Sequence, residues 1–88
     1  MTGWFLYLIE CEDGSLYTGI ALDPQARFAR HLAGKGARYT RSHPPRRLLA
    51  TLAFPDRSSA LKAEHQLKKI PARAKLRHVL AQGAATVS

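Results

Sequence analysis

Trp4-Phe5-Leu6-Tyr7-Leu8-Ile9-Glu10-Cys11, then Glu12-Asp13-Gly14, then Ser15-Leu16-Tyr17-Thr18-Gly19-Ile20 is the stretch that decides the fold. The first run is short and rich in aromatic and branched side chains, the signature of a strand. It is apolar almost throughout, so both of its faces are expected to be covered. Glu12-Asp13-Gly14 is a turn signal, and Leu16 to Ile20 reads as the returning strand of a hairpin. A three-residue loop with Gly14 in the left-handed conformation pairs Cys11 with Ser15 and Ile9 with Tyr17. Side chains alternate along a strand, and cross-strand partners share a face. Tyr7 and Tyr17 then project from the same side. A two-residue Asp13-Gly14 turn would place them on opposite sides.

Outward from the hairpin, Asp23-Pro24 is a helix start, with an N-cap acceptor and a proline at the first helical position. The helix runs to about Leu32 and stops at Gly34. Phe28, Ala29 and Leu32 form its apolar stripe. Arg27 and His31 lie one turn apart beside that stripe. Residues 33–47 carry Gly34, Gly36, Pro44 and Pro45 among Lys35, Arg38, Arg41, Arg46 and Arg47 without apolar periodicity, and read as a long basic loop. Leu48 to Phe54 is a third strand ended by Pro55. A helix from Arg57 or Ser58 to Lys69 is broken at Pro71, and a last one spans Ala72 to Ala81 before Gly83. The order is ββαβαα. It implies an α+β fold, a three-stranded, mainly antiparallel sheet flanked by helices. Residues 1–83 make one domain in this reading and 84–88 a flexible tail.

The 88 residues suit one domain with a modest core. Cys11 is the only cysteine, which excludes an internal disulfide and a multi-cysteine zinc site. The Trp4–Ile9 run is too short for a signal peptide or a membrane span. A cytoplasmic protein is expected. The formal net charge is +8, and it is unevenly spread. Residues 1–33 hold two basic and four acidic side chains, and residues 34–88 hold twelve basic and two acidic. That split favours a polyanion partner. Charge alone does not separate DNA from RNA, and a nucleic acid of either kind ranks well above a membrane surface. Lys35, Arg38 and Arg41, together with Lys68 and Lys69 of the penultimate helix, are the candidate phosphate contacts. Tyr39, between Arg38 and Arg41, is suited either to stacking on an unpaired base or to anchoring the loop.

Glu64 is the most informative single residue. At roughly 100° per residue it falls in the same arc of its helix as Ala60, Leu61 and Leu67, while Lys62, Gln66 and Lys69 lie opposite. A carboxylate on the buried-facing side calls for a cation or a metal. An ion pair, for example with Arg27, competes evenly with a metal site. Arg27 has the geometry for bidentate phosphate contact and His31 the chemistry to pass a proton. No phosphate-binding loop, HExxH or nucleophile triad is present.

Together these residues resemble the GIY-YIG nuclease superfamily, and its small bacterial members in particular. The resemblance runs from Phe5 to about Leu80. Phe5-Leu6-Tyr7 stands for the first motif and Tyr17-Thr18-Gly19 for the second. The helix with Arg27 and His31, the loop Gly34-Lys35-Gly36-Ala37-Arg38-Tyr39-Thr40-Arg41 and the later Glu64 follow in order. Three positions depart from the pattern. Phe5 replaces a glycine, Ile20 follows Gly19 where several members carry a polar or basic residue, and the chain has no asparagine. The resemblance implies an endonuclease cutting DNA with one magnesium or manganese ion, selective for DNA structure and active in repair or recombination. It implies that Glu64 binds the metal, Arg27 holds the scissile phosphate, Tyr17 helps activate water, and Tyr7 and His31 contact or shuttle protons around the site. The rival is a non-catalytic nucleic-acid-binding module on the same fold. A monomer or weak homodimer is expected, with room for a protein partner that completes activity. The charge split generates a first prediction. Neutralising Lys35, Arg38 and Arg41 together flattens the slope of log affinity for DNA against log salt by up to about three phosphates' worth. An unchanged slope would take this segment off the binding surface.

Overall fold

The structure is a computed structural model and describes residues 3–87. Met1, Thr2 and Ser88, the outer ends of the expected domain and tail, lie outside the described residues. The elements run β1 (Trp4–Cys11), β2 (Leu16–Ala21), α1 (Pro24–Leu32), α2 (Arg38–Ser42), β3 (Pro45–Phe54), α3 (Arg57–Leu67), α4 (Ala72–Ala81) and β4 (Ala85–Thr86). The strands form one antiparallel sheet in the order β2-β1-β3-β4.

The hairpin has the expected register. Ile9 pairs with Tyr17 and Tyr7 with Gly19, the Cys11 amide donates to the Ser15 carbonyl at 2.8 Å, and Gly14 sits at φ 86°. That left-handed conformation strains any residue with a Cβ, which is why the turn uses glycine. Asp23 caps α1 by accepting from the Ala26 amide at 3.1 Å, and Asp56 caps α3 by accepting from the Ser59 amide at 2.8 Å.

α3 ends at Leu67 rather than Lys69, and three larger differences from the sequence reading stand out. The segment 33–47 is not a continuous loop, because residues 38–42 close into the short helix α2. The third strand starts at Pro45 rather than Leu48. A proline can open a strand because no ladder donor is required there. The Glu10 carboxylate also accepts from Arg47 Nε at 2.7 Å, tying that early part of β3 to β1. Finally, the expected tail adds a fourth strand. Ala85 and Thr86 pair with Thr51 and Ala50, and the Val87 amide donates to the Leu49 carbonyl at 2.9 Å. Each of these depends on partners far away in sequence, which local pattern does not reveal.

β1 is covered on both faces, as its apolar run implies. Leu6 and Leu8 pack with Ala50, Leu67 and Val79 beneath α3 and α4. On the other face Tyr7, Ile9 and Cys11 pack with Ala21 and Leu48, with Tyr17 and Phe28 of α1 against them. α1 and α3 therefore lie on opposite faces, and both reach β2 at the edge of the sheet. Leu67 is 1% exposed at the centre of the α3 interface. Replacing it by alanine leaves a cavity, and Leu67→Ala should cost about 2–5 kcal/mol in urea unfolding. A cost well under 1 kcal/mol would mean that α3 is not held by this contact.

Candidate active site

Tyr7 and Tyr17 stand on one face with ring centroids 6.3 Å apart. The His31 ring from α1 lies 6.0 Å from Tyr7 and 5.1 Å from Tyr17. His31 is not beside an apolar stripe, as the helical arithmetic suggested. It is itself buried, together with Pro24, while Leu32 is 56% exposed. The reason is hydrogen bonding. His31 Nε2 is 3.0 Å from Tyr7 Oη and His31 Nδ1 is 2.7 Å from Thr40 Oγ1, both in buried contacts. An imidazole satisfied at both nitrogens can take the interior position that Leu32 would otherwise fill.

Two glycines make room for this arrangement. Gly19 lies opposite Tyr7 in the ladder, and a Cβ there would fall on the Tyr7 hydroxyl. Gly36 lies against the imidazole, and a Cβ there would fall on His31 Nδ1. Both glycines are required for space. The structure thus gives the basic segment a second part that the sequence reading missed: Gly36 and Thr40 build the pocket of His31. The only sequence signal was a glycine and a threonine within a cationic run.

Burial raises the Tyr7 phenol well above the usual tyrosine range, with the neighbouring Tyr17 adding to the rise. Burial also raises Tyr17, but the Lys68 and Arg27 charges pull it back down while Glu64 pushes it up. Burial, and then the Arg27 charge, depress His31, which holds the imidazole neutral near pH 7. Tyr7 and His31 are each 2% exposed, while Tyr17 is only half-buried. Of the three rings, Tyr17 is the one that reaches the surface.

Glu64 approaches from the other side of the sheet. α3 packs on the Leu6/Leu8 face, opposite the face of Tyr7, Tyr17 and α1. α1 and α3 both contact β2, the edge strand, from the two faces of the sheet. Glu64 pairs with Lys68 at 3.4 Å, the carboxylate side chain 15% exposed and the ammonium side chain 58%. No Glu64–Arg27 ion pair is found among the described residues. Lys68, expected as a phosphate contact, therefore sits inside the electrostatic field of the site. Lys35, Arg38, Arg41 and Lys69 are exposed. Tyr39 stacks on His43 at 4.2 Å and on Tyr17 at 5.8 Å, and His43 in turn holds Asp13 at 2.6 Å. An apolar cleft of about 310 Å³, lined by Leu6, Leu52, Phe54, Leu67 and Val79, belongs to the α3–α4 face and is separate from the tyrosines.

No cluster of three or more metal-ligating side chains occurs among the described residues. A lone, largely sheltered carboxylate is a hard oxygen donor. It fits a magnesium- or manganese-sized ion that takes its remaining ligands from water and phosphate oxygens.

The site thus combines a hairpin carrying two tyrosines on one face, an arginine–histidine helix on that face and a glutamate helix on the other. The chain belongs to the GIY-YIG family: the GIY-YIG catalytic domain matches residues 3–76. This is a nuclease superfamily whose members generally use divalent metal ions and act on nucleic acid. Within it, the chain is similar to the UPF0213 proteins. It is 55% identical over 73 residues to one from Cupriavidus pinatubonensis, covering 83% of this chain and 81% of that one. It is 51% identical over 79 residues to one from Xanthomonas axonopodis pv. citri, covering 90% and 78%. The solution NMR structure of the UPF0213 protein from Bacillus halodurans superposes with a TM-score of 0.55 at 42% identity, covering 94% of this chain and 87% of that one. No helix among the described residues is long and apolar enough to cross a membrane.

The glycine contacts set a prediction. Gly19→Ala forces the buried Tyr7 ring off its seat. It should lower stability by about 1–3 kcal/mol and shift the His31 ring resonances in NMR spectra. An alanine variant with unchanged midpoint and unchanged His31 signals would show that Tyr7 does not rest on Gly19.

Proposed function

We propose that this protein is an endonuclease that hydrolyses DNA phosphodiester bonds with one divalent metal ion, magnesium or manganese. The observation that carries the reading is that the half-buried Tyr17, on the edge strand β2, lies in the electrostatic field of Arg27 of α1 and of the Glu64–Lys68 pair at the end of α3. Glu64 holds the metal. Lewis-acid chemistry at the phosphate is what a divalent ion held by Glu64 would supply. Arg27 grips the scissile phosphate with its guanidinium fork and offsets charge that develops on it. Tyr17 orients the attacking water through its hydroxyl, and its proton affinity is tempered by the Arg27 and Lys68 charges. Tyr7 and His31 stand behind Tyr17 as a buried hydrogen-bonded pair that can relay a proton.

The exposed cations Lys35, Arg38, Arg41 and Lys69 supply backbone contacts that carry no sequence information. Selectivity then comes from DNA structure, such as flaps, branches or single strands, the substrates that arise in repair and recombination. RNA is the competing polyanion, and a cleavage assay on matched RNA and DNA strands separates the two.

Glu64→Gln tests the reading because it keeps size and removes charge. Metal-dependent plasmid nicking should be lost while DNA affinity stays within about twofold, since the basic segment provides it. Stability should change by less than about 1 kcal/mol, because the partner Lys68 is more than half exposed. A variant that nicks at the parent rate with magnesium or manganese would end the metal assignment. A parent protein that binds DNA yet never nicks it would make this a binding module.

A further inference from the structure

We propose that Thr40 is a positioning residue that fixes the tautomer of His31, so that the Nε2 lone pair faces the Tyr7 hydroxyl. The inference rests on the nuclease reading for its consequence, but its geometry stands independently. Thr40 is a buried polar side chain, 2% exposed, in a helix of only five residues without a side-chain cap. Its hydroxyl has one proton and two lone pairs, and it has two short contacts. Thr40 Oγ1 lies 3.0 Å from the Ala37 carbonyl oxygen and 2.7 Å from His31 Nδ1. The carbonyl can only accept, so the hydroxyl proton goes to Ala37. The hydroxyl oxygen is then an acceptor, and His31 Nδ1 must carry hydrogen to meet it. A neutral imidazole with its proton on Nδ1 has a bare lone pair on Nε2, which accepts from Tyr7 Oη at 3.0 Å. In this arrangement Tyr7, His31 and Thr40 each donate once, in one direction, and the chain ends on a backbone carbonyl.

The opposite tautomer reverses the chain. Nδ1 would accept from Thr40, and the hydroxyl oxygen would face the Ala37 carbonyl oxygen at 3.0 Å with no proton between them. That is an unfavourable contact between two acceptors in a buried site. The Ala37 amide donates toward Nδ1 at 3.4 Å and is the one contact that favours this opposite tautomer, but it is the longest in the group and is outweighed by the 3.0 Å Thr40 contact to the Ala37 carbonyl. The charge state agrees with the geometry. Burial and Arg27 keep the imidazole neutral, so one ring nitrogen must be unprotonated, and Thr40 determines which. A histidine whose far nitrogen is held by an acceptor is oriented in the same way in metal sites and hydrolase triads. Here the acceptor is a threonine nine residues later in the chain, placed by the turn through Gly36.

The functional consequence concerns Tyr7. Its phenol is buried and hard to ionise. With Nε2 as acceptor, the Tyr7 proton points into the interior, and its oxygen lone pairs are left to accept from the site at the β2 edge. With the reverse tautomer the hydroxyl would accept from His31 and its proton would be free to turn outward.

The test uses the full chain. Nitrogen-15 NMR of the His31 ring in the parent protein should show a protonated Nδ1 and an unprotonated Nε2. This reading needs no substrate, metal or variant, so it is independent of whether the protein cuts DNA. Thr40→Val keeps the shape and removes the acceptor. It should shift the ring toward the other tautomer and lower kcat for nicking on the order of tenfold, with KM within about twofold. Thr40→Ser restores the hydroxyl and should return both the nitrogen signals and the rate to near the parent values. A parent His31 with its proton on Nε2, or a folded Thr40→Val protein that keeps the proton on Nδ1, overturns the assignment. If Thr40→Val does not fold, the parent spectrum and the Thr40→Ser variant decide the question.

Discussion

An imidazole buried in a small core needs a partner at each nitrogen, and much of the local architecture follows from meeting that need at His31. The Tyr7 hydroxyl satisfies Nε2 only if the Tyr7 ring lies across the β2 strand, and that is possible only because Gly19 has no side chain. Nδ1 is satisfied only if the chain after α1 turns back over the ring. That turn needs Gly34 at φ 77° to end the helix, Gly36 to come against the imidazole, and Thr40 to present its hydroxyl from α2. An unsatisfied polar group here would cost about 1–3 kcal/mol, a large part of the marginal stability of a domain this size. The path of residues 33–40 is therefore set by hydrogen-bond satisfaction, with little apolar burial of its own.

The same burial shapes the chemistry at the sheet edge. Desolvation raises both tyrosines, which alone would leave two inert phenols. The cations act unequally on them. Tyr17 stands in the fields of both Lys68 and Arg27 and is half-buried, so a substrate can reach it. Tyr7 is closed off and engaged with His31. Arg27 has a double effect, drawing the tyrosines down while keeping His31 neutral. Two chemically identical side chains on adjacent strands are thus separated into an outer group that can meet water and an inner one that braces it.

Most of this fold was legible in the sequence wherever the deciding interaction was local. The hairpin register followed from Gly14 and strand alternation, and α1 from Asp23-Pro24. The helix end at 81 followed from Gly83, whereas Pro71 placed the end of α3 at Lys69, two residues past the observed Leu67. Reading failed where the partner was distant. Phe28 of the hydropathy stripe does pack inward, but Ala29 and Leu32 are exposed, and His31 takes the interior because Tyr7 and Thr40 satisfy it. α2 has no local cap and exists through its contact with α1. β4 is only two residues long and has no pattern to detect before β3 is in place. Glu64 was rightly picked out as a carboxylate on the inner side of its helix. Its partner was not Arg27 but Lys68, one turn along the same helix, because α1 and α3 pack on opposite faces of the sheet.

The five residues of α2 also explain how one segment can serve two ends. Arg38 and Arg41 are three apart and so neighbours on one helical face, and both are exposed. Thr40 lies between them in sequence, is buried, and points at His31. Tyr39 leans on Tyr17 and His43. The two exposed arginines share this short helix with the hydroxyl that meets His31 and with the aromatic brace of Tyr17. Helical geometry places these side chains on opposite sides of one rigid turn, so α2 cannot shift for one role without shifting for the other. Charge on the outside and a hydroxyl on the inside of a single turn link an exposed cationic surface to the buried hydrogen bonds behind Tyr17.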